Sequence, residues 1–424
     1  MLATPGGDAS DGYLPRYLDS EIEELLNELP ALAIDGAKGV GKTETASRHV
    51  DDVLELDSPE VRQLVELDMT TQLQRAERLC VDEWQKYPPV WDGVRRLVDK
   101  GAATRFVLTG SATPTTGDTH SGAGRIVSVR LRPLSLAERR STTPTIFLSE
   151  LFAGAARIGG ETDFQAADYA REICASGLPG INPLSPRARR AALDGYVERI
   201  IDRDIPELGA TVRHPASLRA WLSAFAAASS TTAGHATLMR AVTPGEPAMP
   251  ARSTARVYKE LLARLWILDP IPAWLPTMAP LSRLTKGDKH QLCDPGLAAH
   301  LLGVTEQKLL SGVAGSGEVF GQLFESLAAL SLRAAASGCE AKVHHLRTRD
   351  GVHEVDLIVE RFDGPVIAFE VKLARVVGDH EVRHLNWLGD QLGGRLVDKV
   401  VLTAGRAAFR RPDGVAVIPL AMLG

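Results

Sequence analysis

The segment Gly36-Ala37-Lys38-Gly39-Val40-Gly41-Lys42-Thr43 constrains this chain more than any other, because of what flanks it. Leu32-Ala33-Ile34 reads as a buried strand entering the loop, and Gly41 to Val50 reads as a helix leaving it. A Gly-x4-Gly-Lys-Thr pattern between a strand and a helix is a phosphate cradle, the P-loop. Its glycines let backbone N–H groups face phosphate oxygens without a Cβ in the way, and the helix N-terminus adds positive potential. ATP and Mg²⁺ are the expected ligands. Lys42 is expected to reach the β and γ phosphates and the Thr43 hydroxyl to ligate the metal.

The surrounding residues fit a parallel α/β sheet. Val53 to Leu56, Arg78 to Asp82, Arg105 to Thr109 and Ile126 to Leu131 read as further short strands separated by helical segments. Asp57 or Ser58 is placed to cap a helix starting at Pro59. A doubly wound sheet of this kind holds its ligand at the carboxyl ends of its strands. Arg78-Leu79-Cys80-Val81-Asp82-Glu83 is an apolar strand ending in two acids. With the P-loop upstream, Asp82 is expected to hold Mg²⁺ and Glu83 to orient and deprotonate the attacking water. Ser111, or else Thr109, at the end of the next strand is the candidate γ-phosphate sensor. Arg125, in Gly122-Ala123-Gly124-Arg125, is either an arginine finger, in its own site or a neighbour's, or a surface arginine.

At 424 residues the chain is long for one core, so two or three domains are expected. No apolar run approaches the ~18 residues of a membrane span, and the N-terminus lacks the order of a signal peptide. Cys80, Cys174, Cys293 and Cys339 have neither metal-ligand nor redox spacing. These features point to the cytoplasm, with no membrane partner. A net charge of −5 does not advertise nucleic-acid binding by the whole molecule.

From about Ser141 the pattern turns helical, over Asp168–Ala175, Pro186–Ile201, Ser217–Ala228 and Ser253–Leu262. A short strand at Trp266-Ile267-Leu268 follows, and the succession suggests a winged-helix-like unit near residues 212–300. Basic residues outnumber acids there, with Arg252, Arg256 and Lys259 on a recognition-like helix or simply on a solvated face.

After Gly312 to Gly317 a third unit begins. It has a helix over Glu318–Ala336 and strands near Lys342–Arg347, Glu354–Arg361, Val366–Leu373, Lys399–Thr403 and Val415–Ile418. Glu370 and Lys372 share one face of a strand, and Asp356 lies on the strand before it. Asp356 meets Glu370 only if the connection between the strands has an odd number of residues or a bulge intervenes. Glu325 on the preceding helix is a candidate third carboxylate.

The chain resembles the prokaryotic AAA-type ATP-binding proteins that carry a C-terminal domain of unknown function. The likeness rests on Gly36 to Thr43, Asp82-Glu83-Trp84-Gln85, Leu108 to Pro114, His120 to Arg125 and Arg132 to Leu136. Weaker likeness runs through Gly177-Leu178-Pro179, Asp202 to Ile205 and Lys289 to Leu297. It implies an AAA-like P-loop core over residues 1–140, a helical and winged-helix-like middle over 141–310, and a small α/β nuclease-like domain over 311–424. The Asp356, Glu370, Lys372 layout resembles the PD-(D/E)xK nucleases, in which two carboxylates bind Mg²⁺ and the lysine assists the attacking water. Here Val355 stands where those proteins carry proline. Glu325, Asp356 and Glu370 are thus candidate metal ligands, and a charged but structural sheet face is the alternative. DNA or RNA and a second copy of the chain are the candidate macromolecular partners. The expected function is a Mg²⁺-dependent ATPase coupled to a nucleic-acid-related domain. The competing class is a nucleotide-dependent switch or scaffold whose C-terminal domain binds without cutting.

Overall fold

The structure is a computed structural model that describes residues 12–110, 122–234, 237–238, 250–275, 287–348 and 351–424. Five strands, β1 (Ala31–Asp35), β2 (Asp52–Glu55), β3 (Arg78–Asp82), β4 (Arg105–Thr109) and β5 (Val127–Arg130), form the first sheet. Their order is β2-β3-β4-β1-β5 and every pairing is parallel. A parallel sheet covered on both faces needs continuous apolar strands rather than alternating ones, and Ala31 to Ile34 and Leu79 to Val81 are all buried. On one face Leu32 and Ile34 share a core with Leu18, Ile22 and Leu26 of α1 (Tyr17–Glu28). On the other, Ala33, Val81 and Leu108 pack with Val65 of α3 (Pro59–Leu67), Leu73 of α4 (Met69–Leu73) and Val94 of α5 (Pro89–Asp99). Ser58 caps α3, accepting from Val61 N. Because β4 lies between β1 and β3, the ends of these three strands meet at one edge. The loop after β1, which opens α2 (Lys42–Ser47), lies there beside Asp82 and Thr109.

The middle of the chain is helical at Ala166–Ala175, Pro186–Arg199, Pro215–Ala227 and Arg252–Arg264. The expected strand at Trp266–Leu268 is a pair of antiparallel bridges instead, Leu268 with Leu292 and Ile271 with Lys289. Arg252, Arg256 and Lys259 are exposed, and Arg256 pairs with Glu260 one turn away on its own helix.

A second sheet contains β6 (Ala341–Arg347), β7 (Glu354–Arg361), β8 (Val366–Lys372), β9 (Leu396–Thr403), β10 (Phe409–Arg410) and β11 (Ala416–Pro419). Its order is β10-β11-β9-β8-β7-β6, mixed in direction. The helix Ser316–Ser337 covers one face through Phe324 and Leu327, and the helix Asp379–Leu392 covers the other through Val382, Leu385 and Leu388. The far end of the chain returns to the segment after the first sheet. Leu423 bridges Ile146, Gly424 N donates to Ile146 O at 2.9 Å, and Ala421 N donates to the Tyr169 hydroxyl at 2.9 Å. No helix among the described residues is long and apolar enough to cross a membrane.

Candidate functional site

The loop Gly36–Thr43 closes around its own lysine. Lys42 is buried, and its Nζ donates to Gly36 O at 2.9 Å and Ala37 O at 3.0 Å. Gly41 has φ +95°, a left-handed backbone that a side chain would strain. A Cβ on Gly36 would stand 2.3 Å from Leu131 O, so only glycine lets the loop pass the end of β5. Burial pulls the Lys42 ammonium down to about 8, although Glu83 and Asp82 pull it back up.

The acids predicted to face this loop do so. The Thr43 hydroxyl donates to Asp82 Oδ1 at 2.8 Å, and the Thr109 hydroxyl donates to the same oxygen. Glu83 has φ +51°, and its carboxylate accepts from the Gln85 side chain. A glutamate held left-handed directly after a strand stores strain of the kind that clusters at functional sites. Ser111 lies outside the described residues, while Thr109 stands between the two motifs.

Arg125 does not belong to the P-loop of its own chain. It precedes Val127, which pairs with Leu32 at the start of β1, whereas the P-loop follows the far end of that strand. At ~3.3 Å per residue the strand alone separates them by more than ~10 Å. Arg125 instead pairs with Asp99, at the end of α5, at 2.9 Å on the surface.

Several groups around the loop carried no role in the sequence reading. Arg16 donates to Val40 O at 3.0 Å and pairs with Glu138 at 3.2 Å, both buried. The chain between the helix Pro186–Arg199 and Glu207 includes a π-helical turn, Ile200–Asp204, where Asp204 accepts from Lys38 Nζ at 3.1 Å. The Tyr196 hydroxyl donates to Lys38 O at 2.9 Å. Pro179 lies beside Gly41. The segments at Gly177–Pro179 and Asp202–Ile205 thus come together on the loop. Sequence likeness was the one signal marking them, since neither has a chemical spacing of its own.

The C-terminal residues converge as well. Glu360 pairs with Val366, so the connection between β7 and β8 has five residues, and the register Leu357 with Phe369 continues to Asp356 against Glu370. Lys372 Nζ lies 2.8 Å from Glu370 Oε2 and 3.5 Å from Asp356 Oδ2, and Val371 N donates to Asp356 at 2.9 Å. Burial and the neighbouring Asp356 charge push the Glu370 carboxyl well up. Burial also opposes the Asp356 charge, but Lys289 and Lys372 outweigh it and hold that carboxyl low. Of the two carboxyls, Glu370 is the one pushed toward its neutral form.

Glu325 corrects the expectation. It does not join the other carboxylates around one point, because Lys289 Nζ stands between, 2.7 Å from Glu325 Oε1 and 3.5 Å from Asp356 Oδ1. Lys289 is 1% exposed, so this ammonium is sealed among the acids. Burial raises Glu325 to about 7 despite Lys289. Among the described residues no group of three or more His, Cys, Asp or Glu is arranged to hold a metal ion.

A five-stranded parallel sheet with a P-loop after β1 and an acid-tipped β3 defines a P-loop nucleotide-binding fold. Residues 28–139 match the profile of an AAA domain, in keeping with that fold. Residues 166–308 and 320–423 match two domains of unknown function, DUF8612 and DUF4143. Uncharacterized proteins of Mycobacterium tuberculosis (Rv2008c) and Mycobacterium bovis (Mb2031c) are each 24% identical over 363 residues, 83% of this chain and 72% of theirs. Among solved structures, the Walker-type ATPase PABY2304 of Pyrococcus abyssi aligns with TM-score 0.41 and 13% identity, over 69% of this chain and 95% of that one. A RuvB variant of Thermotoga maritima aligns with TM-score 0.26 and 16% identity, over 60% and 87%. Structural likeness at these scores carries no information about activity.

Proposed function

We propose that the chain is a Mg²⁺-dependent ATPase, with residues 36–43 holding ATP. The observation that carries this is the meeting of Thr43, Asp82 and Thr109 beside a buried Lys42. A hydroxyl and a carboxylate in hydrogen-bond contact are a hard oxygen donor pair of the kind Mg²⁺ takes, so the residues fit the metal. Mg²⁺ bound there would neutralise phosphate charge. Lys42 would exchange its two carbonyl partners for β- and γ-phosphate oxygens. Asp82 would orient Thr43, Thr109 would hold Asp82 in place, and Glu83 would accept a proton from the attacking water. Ser111, or else Thr109, would sense the γ-phosphate, and an Arg125 finger would act in the site of a second copy.

Glu83→Gln tests this reading. The variant keeps the shape of the side chain and loses the base, so ATP should still bind while phosphate release falls ~10²-fold or more. Turnover near wild type would remove Glu83 from the chemistry. A second expectation follows from the low Lys42 value. Phosphates raise the lysine's affinity for its proton, so ADP affinity should be flat below pH 8. It should then fall as pH rises through about 8, approaching tenfold per pH unit. Calorimetry in two buffers of different ionisation heat at pH 8.5 should register proton uptake, and a pH-independent affinity would contradict the assignment.

For the C-terminal unit, the position of Lys289 favours the switch over the nuclease. A cation already stands between Glu325 and Asp356, and Lys372 is paired with Glu370. Asp356, Glu370 and Lys372 are the residues through which metal-dependent cleavage of DNA or RNA would run. That reading requires Mg²⁺ or Mn²⁺ to displace the Lys289 ammonium. Domain limits near residues 140 and 310 remain our proposal for dividing the chain.

A further inference from the structure

We propose that the cavity between the β5 edge of the first sheet and the β6 edge of the second binds a small phosphate-bearing anion. It has a volume of about 320 Å³, within the range of small-ligand sites. Ser128 and Arg130 of β5, Arg132, Arg333 of the helix Ser316–Ser337, and Lys342 and His344 of β6 line it. Asp269, buried beside it, is shared by three guanidiniums: Arg130 at 3.2 Å, Arg132 at 2.8 Å and Arg333 at 2.8 Å.

One carboxylate against three guanidiniums leaves an excess of positive charge, and Lys342 adds to it. Glu21, the one acid in the wall, offsets little. Burial and then the charges of Glu24 and Glu340 push it up to about 7, so near neutral pH it is only partly ionised. Burial, with Arg132 beside it, brings Arg333 down to about 9 despite Asp269, as expected where negative charge is short. Two buried polar atoms of the lining residues, Arg130 Nε and His344 Nδ1, have no hydrogen-bond partner among the described residues. Guanidinium forks match phosphate oxygens two at a time, and an enclosed basic wall concentrates anions.

The site would report to the P-loop. Arg130 is the register partner of Asp35, the residue before Gly36, and the charge of Arg130 favours the ionised Asp35 carboxylate. An anion on Arg130 would weaken the positive charge felt by Asp35, and through it by Lys42.

The test uses the full chain carrying Lys42→Ala, which disables the P-loop, titrated calorimetrically with inorganic phosphate, pyrophosphate and ADP. At least one should bind saturably. Pyrophosphate without ADP assigns the site to free anions, and tighter ADP binding assigns it to the phosphates of a nucleotide. Adding Lys342→Glu, at an exposed position and with folding checked by circular dichroism because Glu360 lies opposite, should weaken binding about tenfold or more, the scale of reversing a charge near the ligand. Arg333→Lys should weaken it too while keeping a positive charge beside Asp269. The proposal is overturned by no saturable binding up to about 10 mM, ten times the ~1 mM Kd of a weak site. Equal affinity in the Lys342→Glu protein overturns it as well.

Discussion

Lys42→Ala is expected to eliminate ATP turnover and to weaken nucleotide binding strongly. No other cation of the loop can take its place. Lys38 is turned away, its ammonium engaged by Asp204 and its carbonyl by Tyr196, whereas Lys42 lies buried inside the loop. A preorganised donor aimed at developing phosphate charge is worth ~10²–10³ in rate, and loss of ground-state contacts adds to that. Folding of the variant is checked by circular dichroism, since the carbonyls of Gly36 and Ala37 lose the ammonium they now accept from. Phosphate release and ADP calorimetry on the folded variant check both halves. Unchanged affinity together with unchanged turnover would end the nucleotide-site assignment.

The second large effect is expected at Lys289. Removing it as Lys289→Ala leaves Glu325 and Asp356 buried without their shared cation, and breaking a buried ion pair from one side costs about 3–5 kcal/mol. Denaturant unfolding should show that loss. Lys289→Met, which replaces the methylenes but not the charge, should lie nearly as low, because the missing term is electrostatic. Low pH should narrow the gap, since Glu325 sits near 7 and becomes neutral below it. The same variant separates the two readings of the C-terminal unit. If added Mn²⁺ raises the melting temperature of Lys289→Ala but not that of wild type, the carboxylates can hold a metal once the ammonium is gone. If Mn²⁺ changes neither, they form a charge cluster with no metal role.

The first sheet was largely legible because its signals are local. Arg78–Asp82 and Arg105–Thr109 are apolar runs bounded by charged or polar residues, and the observed strands have those limits. The P-loop and Asp82-Glu83 declare their chemistry in consecutive residues. The hairpin of β7 and β8 was half legible. The faces of Asp356 and Glu370 follow from alternation, but whether Arg361 and Pro365 belong to the connection depends on pairing that no local pattern states. Lys289 was not legible as a partner of Glu325 and Asp356, which lie 36 and 67 residues away. A single lysine in a basic stretch looks solvated until the fold encloses it. Two further helices carry apolar stripes at helical spacing, Leu18, Ile22 and Leu26 in Tyr17–Glu28 and Val382, Leu385 and Leu388 in Asp379–Leu392. Both are short apolar stripes among many charges, and each start is held by an N3 acid, Asp19 or Glu381, accepting from the N-cap N–H rather than by a Ser, Thr, Asp or Asn at the N-cap.

The bridge between Ile146 and Leu423 sets an order of events during synthesis. Positions 146 and 423 differ by 277 residues, so the strand-like segment at 146 emerges from the ribosome long before its partner exists. The five parallel strands close within residues 31–130 and can condense early. The stretch from Thr145 to Leu148 must wait, its backbone groups in water, until Met422 to Gly424 arrive to pair with them. Long-range closures of this kind slow folding and leave the waiting segment open to wrong partners. A newly made chain would therefore carry a formed first sheet beside an unfinished middle, and the emergence of Met422 to Gly424 would be the step that seals it.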